Sequence, residues 1–234
     1  MKRIGIDVGG TNTDAVLLDG DRLVHAVKTP TTRDVTAGIV HALDELARTT
    51  GAHDSVDAVM IGTTHFTNAV VERRHLSKVA AVRIGLPASR SLPPFCDWPD
   101  DLAAHVRGEV YMLEGGHEYD GTPIVSFDEA GMRRVAEDIR ARGFEAVAVS
   151  AVFSPLTDAC ERAAEAMLQD VCPGLPVTLS ASLGRIGLLE RENATLLNAS
   201  LVSLARTTTR AFEDALAASG IRAPLFLTQN DGTI

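Results

Sequence analysis

The chain has 234 residues, 45% hydrophobic and 23% charged, which is ample for a packed core and argues against disorder. With 22 Lys and Arg against 31 Asp and Glu, the net charge of −9 argues against nucleic acid, whose binders need a basic face. No apolar run approaches the roughly 20 residues that span a membrane, and three scattered cysteines, Cys96, Cys160 and Cys172, read as reduced thiols of a cytoplasmic protein rather than a disulfide or zinc framework.

Residues 1–30 predict three consecutive strands. Arg3-Ile4-Gly5-Ile6-Asp7-Val8 is apolar and β-branched and turns polar too early to be a secretory signal. Ala15-Val16-Leu17-Leu18 follows a Gly-Thr-Asn-Thr turn, Asp19-Gly20 marks a hairpin, and 22–28 supplies the third strand. Val35, Ile39, Leu43 and Leu46 then recur at helical spacing, with Thr32 or Asp34 as the cap. A buried strand over 57–62 and a short helix over 66–74 come next.

A further apolar strand is expected over 78–84, whereas 87–99 is rich in Pro and Ser and reads as irregular. From Glu109 the alternation returns. Ser126-Phe127-Asp128-Glu129 has capping-box spacing ahead of a stripe of Met132, Val135 and Ile139. A strand over 146–152 leads to a helix capped by Thr157, with Cys160, Ala164, Met167 and Val171 inward, and then to a strand over 176–179. The longest helical pattern covers 188–219, with Leu197, Leu201, Leu204, Thr208, Phe212 and Leu216 on one face and Gly220 as its terminating glycine. A last strand is expected over 225–228.

This alternation is that of an α/β protein. Its opening, three strands joined by tight turns and then helix, strand, helix, is the order of a ribonuclease-H-like lobe, since a Rossmann domain places a helix straight after its first strand. The composition break at 87–99 divides the chain into 1–76 and 182–234, forming that lobe, and an inserted α/β subdomain over 77–181.

The segment that carries chemistry is Asp7-Val8-Gly9-Gly10-Thr11-Asn12-Thr13-Asp14. Adjacent glycines let backbone N–H groups approach an anion, and Thr11, Asn12 and Thr13 add short polar side chains to the same turn. Asp7, at a strand end, can hold a hydrated Mg²⁺ bridging nucleotide phosphates, and Asp14 has the wrong polarity for its strand unless it faces a cleft. Neither G-x-x-x-x-G-K-[ST] nor G-x-G-x-x-G occurs, which excludes P-loop and dinucleotide sites. Thr63 and Thr64 follow a buried strand, where α/β sheets place ligands, and also suit an N-cap; Asn68 lies one helical turn further on. Glu190-Arg191-Glu192 opens the long helix, and Arg191 either makes a salt bridge within the lobe or faces a cleft. His65 and His117 read as structural histidines. His117-Glu118-Tyr119-Asp120 has the composition of a metal site, but consecutive residues cannot all face one ion.

Asp7 to Asp14 resembles the first phosphate motif of the actin, Hsp70 and sugar-kinase superfamily. More narrowly, the chain resembles the N-terminal half of a hydantoinase A / 5-oxoprolinase family protein through Gly62-Thr63-Thr64 with Thr67-Asn68-Ala69 and Glu72-Arg73; Glu114-Gly115-Gly116-His117-Glu118-Tyr119-Asp120-Gly121; Glu190-Arg191-Glu192-Asn193-Ala194 with Asn198-Ala199; and Thr228-Gln229-Asn230-Asp231-Gly232. The resemblance implies an actin-like ATPase fold, ATP and Mg²⁺ as cofactors, and ATP-dependent opening of a cyclic amide. It implies catalytic roles for Asp7, Asp14 and Asp231, nucleotide contacts from Gly9, Gly10, Thr11, Asn12 and Thr13, and substrate contacts from Thr63, Thr64, Asn68 and Arg191. Family members continue into a second lobe with a second phosphate motif, which these residues lack, so the chain reads as one lobe of two. Surface left apolar by the missing lobe would favour homo-oligomers, and a second hydantoinase-type subunit is a further expected partner. A small-molecule kinase and a non-enzymatic, ATP-driven reactivating or scaffold subunit are the alternatives.

Overall fold

The computed structural model describes residues 1–9, 11–30, 35–50 and 56–228. In chain order its elements are β1 (Lys2–Val8), β2 (Asn12–Asp19), β3 (Arg22–Pro30), α1 (Val35–Thr50), β4 (Ala58–Thr63), α2 (His65–Glu72), β5 (Val79–Leu86) and α3 (Asp100–Val106). They continue with β6 (Arg107–Glu114), α4 (Glu129–Arg142), β7 (Ala146–Ala151), α5 (Ala159–Val171), β8 (Val177–Leu179), α6 (Leu188–Ala218) and β9 (Leu225–Leu227). The chain forms two compact units, Met1–Glu72 with Ala205–Ile234, and Arg73–Leu204. The first division lies close to the expected 76/77. The second lies well beyond 181/182, because the opening half of α6 packs with the second unit. Among the described residues no helix is long and apolar enough to cross a membrane.

The first unit is built on a mixed sheet of order β3-β2-β1-β4-β9, in which β2 runs antiparallel to β1 and β3 while β4 and β9 run parallel to β1. Alternation sets its faces. Ile4, Ile6 and Val8 of β1 and Ala15 and Leu17 of β2 point into a core completed by Ile39, Leu43 and Leu46 of α1 and by Phe212 and Leu216 of α6. Gly20, in the left-handed region at φ 60°, turns the β2–β3 hairpin as its Asp-Gly signal requires. The expected caps of α1, Thr32 and Asp34, lie outside the described residues.

The second unit has an all-parallel sheet of order β6-β5-β7-β8. Helices α4 and α5 cover one face through Met132, Ile139, Ala164 and Leu168; α3 and the opening of α6 cover the other through Val106, Leu196 and Ala199. Burial on both faces explains the runs of β5 and β7, apolar but for Arg83 and Ser150. Two expected caps move by one or two residues. Asp128, not Ser126, caps α4, accepting from Gly131 N–H at 2.8 Å. Asp158, not Thr157, occupies the N-cap of α5.

Candidate functional site

The first unit gathers most of the sequence-predicted site at one edge of its sheet. Asp7 pairs in register with Asp14 of β2 and with Gly62 of β4, and Asp14 pairs with Lys28 of β3. Cross-strand partners project on the same side, so both carboxylates stand on the face opposite the core. Asp7 is exposed. Asp14 is half-buried and lies 3.1 Å from the Nζ of Lys28. Gly62 leaves room between Asp7 and β9: a methyl there would sit 3.2 Å from Thr228 Oγ1 and 3.9 Å from Asp7 Oδ1. Gly9 donates its N–H to the Asn12 carbonyl at 3.0 Å, and a side chain on it would press against that same oxygen at 3.1 Å.

The next register row faces the other way. Val8, Thr13 and Thr29 are buried, with Thr29 Oγ1 donating to the Thr13 carbonyl at 3.4 Å. The Thr13 hydroxyl therefore lies on the core side, away from the carboxylates, while Thr11 is exposed and Asn12 half-buried beside the turn. Thr63 Oγ1 lies 3.3 Å from the Val8 carbonyl and 2.8 Å from His65 Nδ1, and accepts from His65 N–H at 3.2 Å. Thr64 is exposed, and its Oγ1 accepts from Asn68 Nδ2 at 3.4 Å. Both threonines thus bind the start of α2 to the strand end that carries them. Desolvation lowers the pKa of the partly buried His65 below its ordinary 6.5. Gly10 and Asp231 lie outside the described residues.

Arg191 belongs to the second unit and departs from the expected substrate role. Its guanidinium, 1% exposed, donates from Nε to Ser180 Oγ at 2.8 Å, from Nη2 to the Ala151 carbonyl at 2.5 Å, and from Nη1 to the carbonyls of Arg185, Ile186 and Gly187. All its nitrogens serve the fold. Next to it lies a pairing that sequence reading missed. Arg83, from the middle of β5, makes a two-pronged ion pair with Glu192, and Ser150 Oγ donates to the same carboxylate at 2.6 Å. Nothing in the apolar run around Arg83 announced it except the charge itself.

The described residues hold no group of three His, Cys, Asp or Glu side chains suited to a metal ion. A Mg²⁺ at this edge would instead use Asp7 with water and ligand phosphates, the coordination that ion prefers. The open carboxylate and the absence of side chains at Gly62 and Gly9 fit that demand.

Residues 3–172 match the family model described as the hydantoinase/oxoprolinase N-terminal region. An uncharacterized protein of Methanocaldococcus jannaschii is 28% identical over 99% of this chain and 36% of its own length. The caprolactamase subunit alpha of Pseudomonas jessenii is 27% identical over 85% of this chain and 31% of its own. The crystal structure of that organism's ATP-dependent caprolactamase superposes with a TM-score of 0.80 and 25% identity, covering 97% of this chain and 35% of that one. The acetophenone carboxylase gamma subunit of Aromatoleum aromaticum is 26% identical over 99% of this chain and 35% of its own. The chain thus spans about a third of the length of these curated relatives.

Proposed function

The chain belongs to the hydantoinase/oxoprolinase family, and from that premise we propose that the intact protein couples ATP cleavage to the opening of a cyclic amide. The observation that carries the nucleotide part is the edge formed by Asp7, Gly9 and Gly62, an accessible carboxylate beside two positions that carry no side chain. The lactam part is carried over from the caprolactamase relative.

An unstrained lactam is a poor electrophile. Transfer of the γ-phosphoryl group to its carbonyl oxygen, with ADP leaving, makes the ring carbon open to water. Cleavage of the C–N bond and hydrolysis of the phosphorylated product then release the amino acid and phosphate, with two waters consumed per ring. Phosphoryl transfer asks the protein for positioning and charge neutralisation more than for covalent chemistry. Asp7 would hold the Mg²⁺ that offsets phosphate charge, the backbone at Gly9, Gly10 and Thr11 would line the phosphates, and Asp14 would bias the same face. Thr63, Thr64 and Asn68 would border the site at the β4–α2 junction, and Asp231 is proposed to act with them. A partner subunit is part of the proposal, since the caprolactamase relative is named as a subunit.

The test is ATP consumption by the intact protein with hydantoin, 5-oxoproline, caprolactam, acetophenone plus bicarbonate, or hexoses. Phosphate release matched by ring-opened product from a cyclic amide is expected. Turnover that requires both acetophenone and bicarbonate would instead assign carboxylation, as in the acetophenone carboxylase relative. Phosphorylated hexose would assign a kinase, and ATP cleavage indifferent to every addition a reactivating or scaffold subunit.

A further inference from the structure

We propose that the second unit binds a neutral carbonyl compound at the carboxyl edge of its sheet, with the Nε2–H of His117 donating to the carbonyl oxygen. The place is set by topology. The connection leaving β5 runs to α3 on one face, whereas those leaving β6 and β7 run to α4 and α5 on the other. Open α/β sheets bind ligands at such a switch, outside the carboxyl ends of their strands.

The segment after β6 crosses this crevice. Gly115 and Gly116 take φ of 137° and 87°, a region that favours glycine, and a methyl on Gly116 would lie 3.1 Å from Val152 Cβ and 3.3 Å from the Ile84 carbonyl. His117 N–H donates to the Val152 carbonyl at 3.2 Å, Ile124 N–H to Gly116 at 3.0 Å, and Glu118 N–H to Thr122 at 2.7 Å. The loop is pinned on both sides of His117.

His117 is only 9% exposed, and its Nδ1 is buried with no partner. An unpaired buried donor forfeits its hydration. A proton on Nδ1 would be such a donor. With Nδ1 buried and without an acceptor, the donor that the ring can offer a ligand is Nε2–H. The end of β6 and the loop after it supply Glu114, Glu118 and Asp120 and no Lys or Arg, which disfavours a carboxylate or phosphate and leaves a neutral carbonyl as the acceptor. The inference rests on the proposed function only in naming that carbonyl as a ring amide.

Nitrogen-15 histidine spectra of the 234-residue chain test the donor directly, with His117→Gln assigning the signal. The expected result is the Nε2–H tautomer, shifting on addition of hydantoin or acetophenone and unmoved by inorganic phosphate. In the intact protein His117→Gln, whose amide reaches the Nε2 position, should leave KM for the carbonyl substrate within about threefold. His117→Asn, whose amide stops near Nδ1, should raise it at least about tenfold while the KM for ATP holds, as for loss of one hydrogen bond. An Nδ1–H tautomer, a response to phosphate alone, no response to either carbonyl compound, or equal KM changes in the two variants would overturn the site. A protein that opens no cyclic amide but whose His117 answers to acetophenone refutes the proposed reaction and upholds this site. Lactam turnover with a silent His117 does the reverse.

Discussion

At the strand ends of the first unit, two carboxylates stay within reach of solvent. Asp7 is exposed, and Asp14 shares a surface pair with Lys28 at 3.1 Å. In the second unit one group of charges next to the strands is sealed. Arg83 and Glu192 are almost wholly buried, and Arg191 holds five acceptors while its neighbour Glu161 accepts from Ala151 N–H at 2.9 Å and Ser180 Oγ at 2.5 Å. Desolvating an ion costs several kcal/mol unless a partner and further hydrogen bonds compensate it, so the second arrangement fixes strand and helix ends. The first leaves charge free to meet a ligand. Glu192 and Asp7 are both motif-like acids in sequence, yet solvent access assigns them opposite tasks.

The comparison breaks first at the buried pair. Glu192→Gln removes the charge facing Arg83, and the 234-residue chain should lose about 3–5 kcal/mol in urea unfolding. Arg83→Met with Glu192→Leu together should recover most of that loss, because a well-packed apolar pair needs no compensation. Failure of the double variant to recover would mean that Ser150 and the Leu92 carbonyl, which Arg83 Nη1 reaches at 2.8 Å, matter as much as the pair.

Asp7→Asn should act in the opposite sense. The exposed carboxylate contributes little to the fold, so the melting temperature should hold. ATP turnover by the intact protein should fall roughly a hundredfold, equivalent to about 2.7 kcal/mol of barrier. Near-normal turnover per folded molecule would remove Asp7, and most of this site, from the chemistry.

Two glycines extend the contrast. A methyl on Gly85, the last buried residue of β5, would lie 2.6 Å from Val152 Cγ2 and 2.9 Å from Ser89 Oγ. Overpacking there should cost about 1–3 kcal/mol. At Gly62 the nearest atom is the Thr228 hydroxyl at 3.2 Å. Gly62→Ala should therefore cost less than about 1 kcal/mol while weakening nucleotide binding by the intact protein, measured by calorimetry.

How far the sequence revealed this depends on which residues carry burial. In the second half of α6 the expected face holds, with Thr208, Phe212 and Leu216 buried. In the first half the buried positions are Arg191, Glu192, Thr195, Leu196, Ala199 and Ser200, while the expected Leu197, Leu201 and Leu204 are only partly covered. Hydropathy cannot see a stripe made of ions and hydroxyls, because the favourable term is pairing. Helix α3 escaped for a related reason: of Asp100–Val106 only Val106 is buried, which leaves no period to read. The antiparallel pairing of β1, β2 and β3 was legible, since tight turns force antiparallel neighbours. So was the Asp7–Asp14 turn, whose residue types fit accessible polar chemistry. The sorting of Thr13 and Thr63 onto the core side needed the register.

The smallest effect lies at the seam between these roles, in His65. Its ring lies 2.8 Å from the Thr63 hydroxyl, at the edge that carries the candidate site, and burial lowers its pKa below 6.5. The unfolded chain therefore binds more protons than the folded one between the folded value and 6.5. The stability that the neutral ring contributes is complete above 6.5 and is lost as pH falls through the folded value. Protonation would also turn Nδ1 into a donor, obliging the Thr63 hydroxyl to accept from it and to direct its own proton to the Val8 carbonyl at 3.3 Å. His65→Asn keeps a polar atom near Nδ1 but does not titrate. Urea midpoints of the 234-residue chain measured from pH 7.5 to 5 should fall less steeply for this variant than for the parent. An identical acid slope in both would place the titrating group elsewhere and leave Thr63 held the same way at every pH.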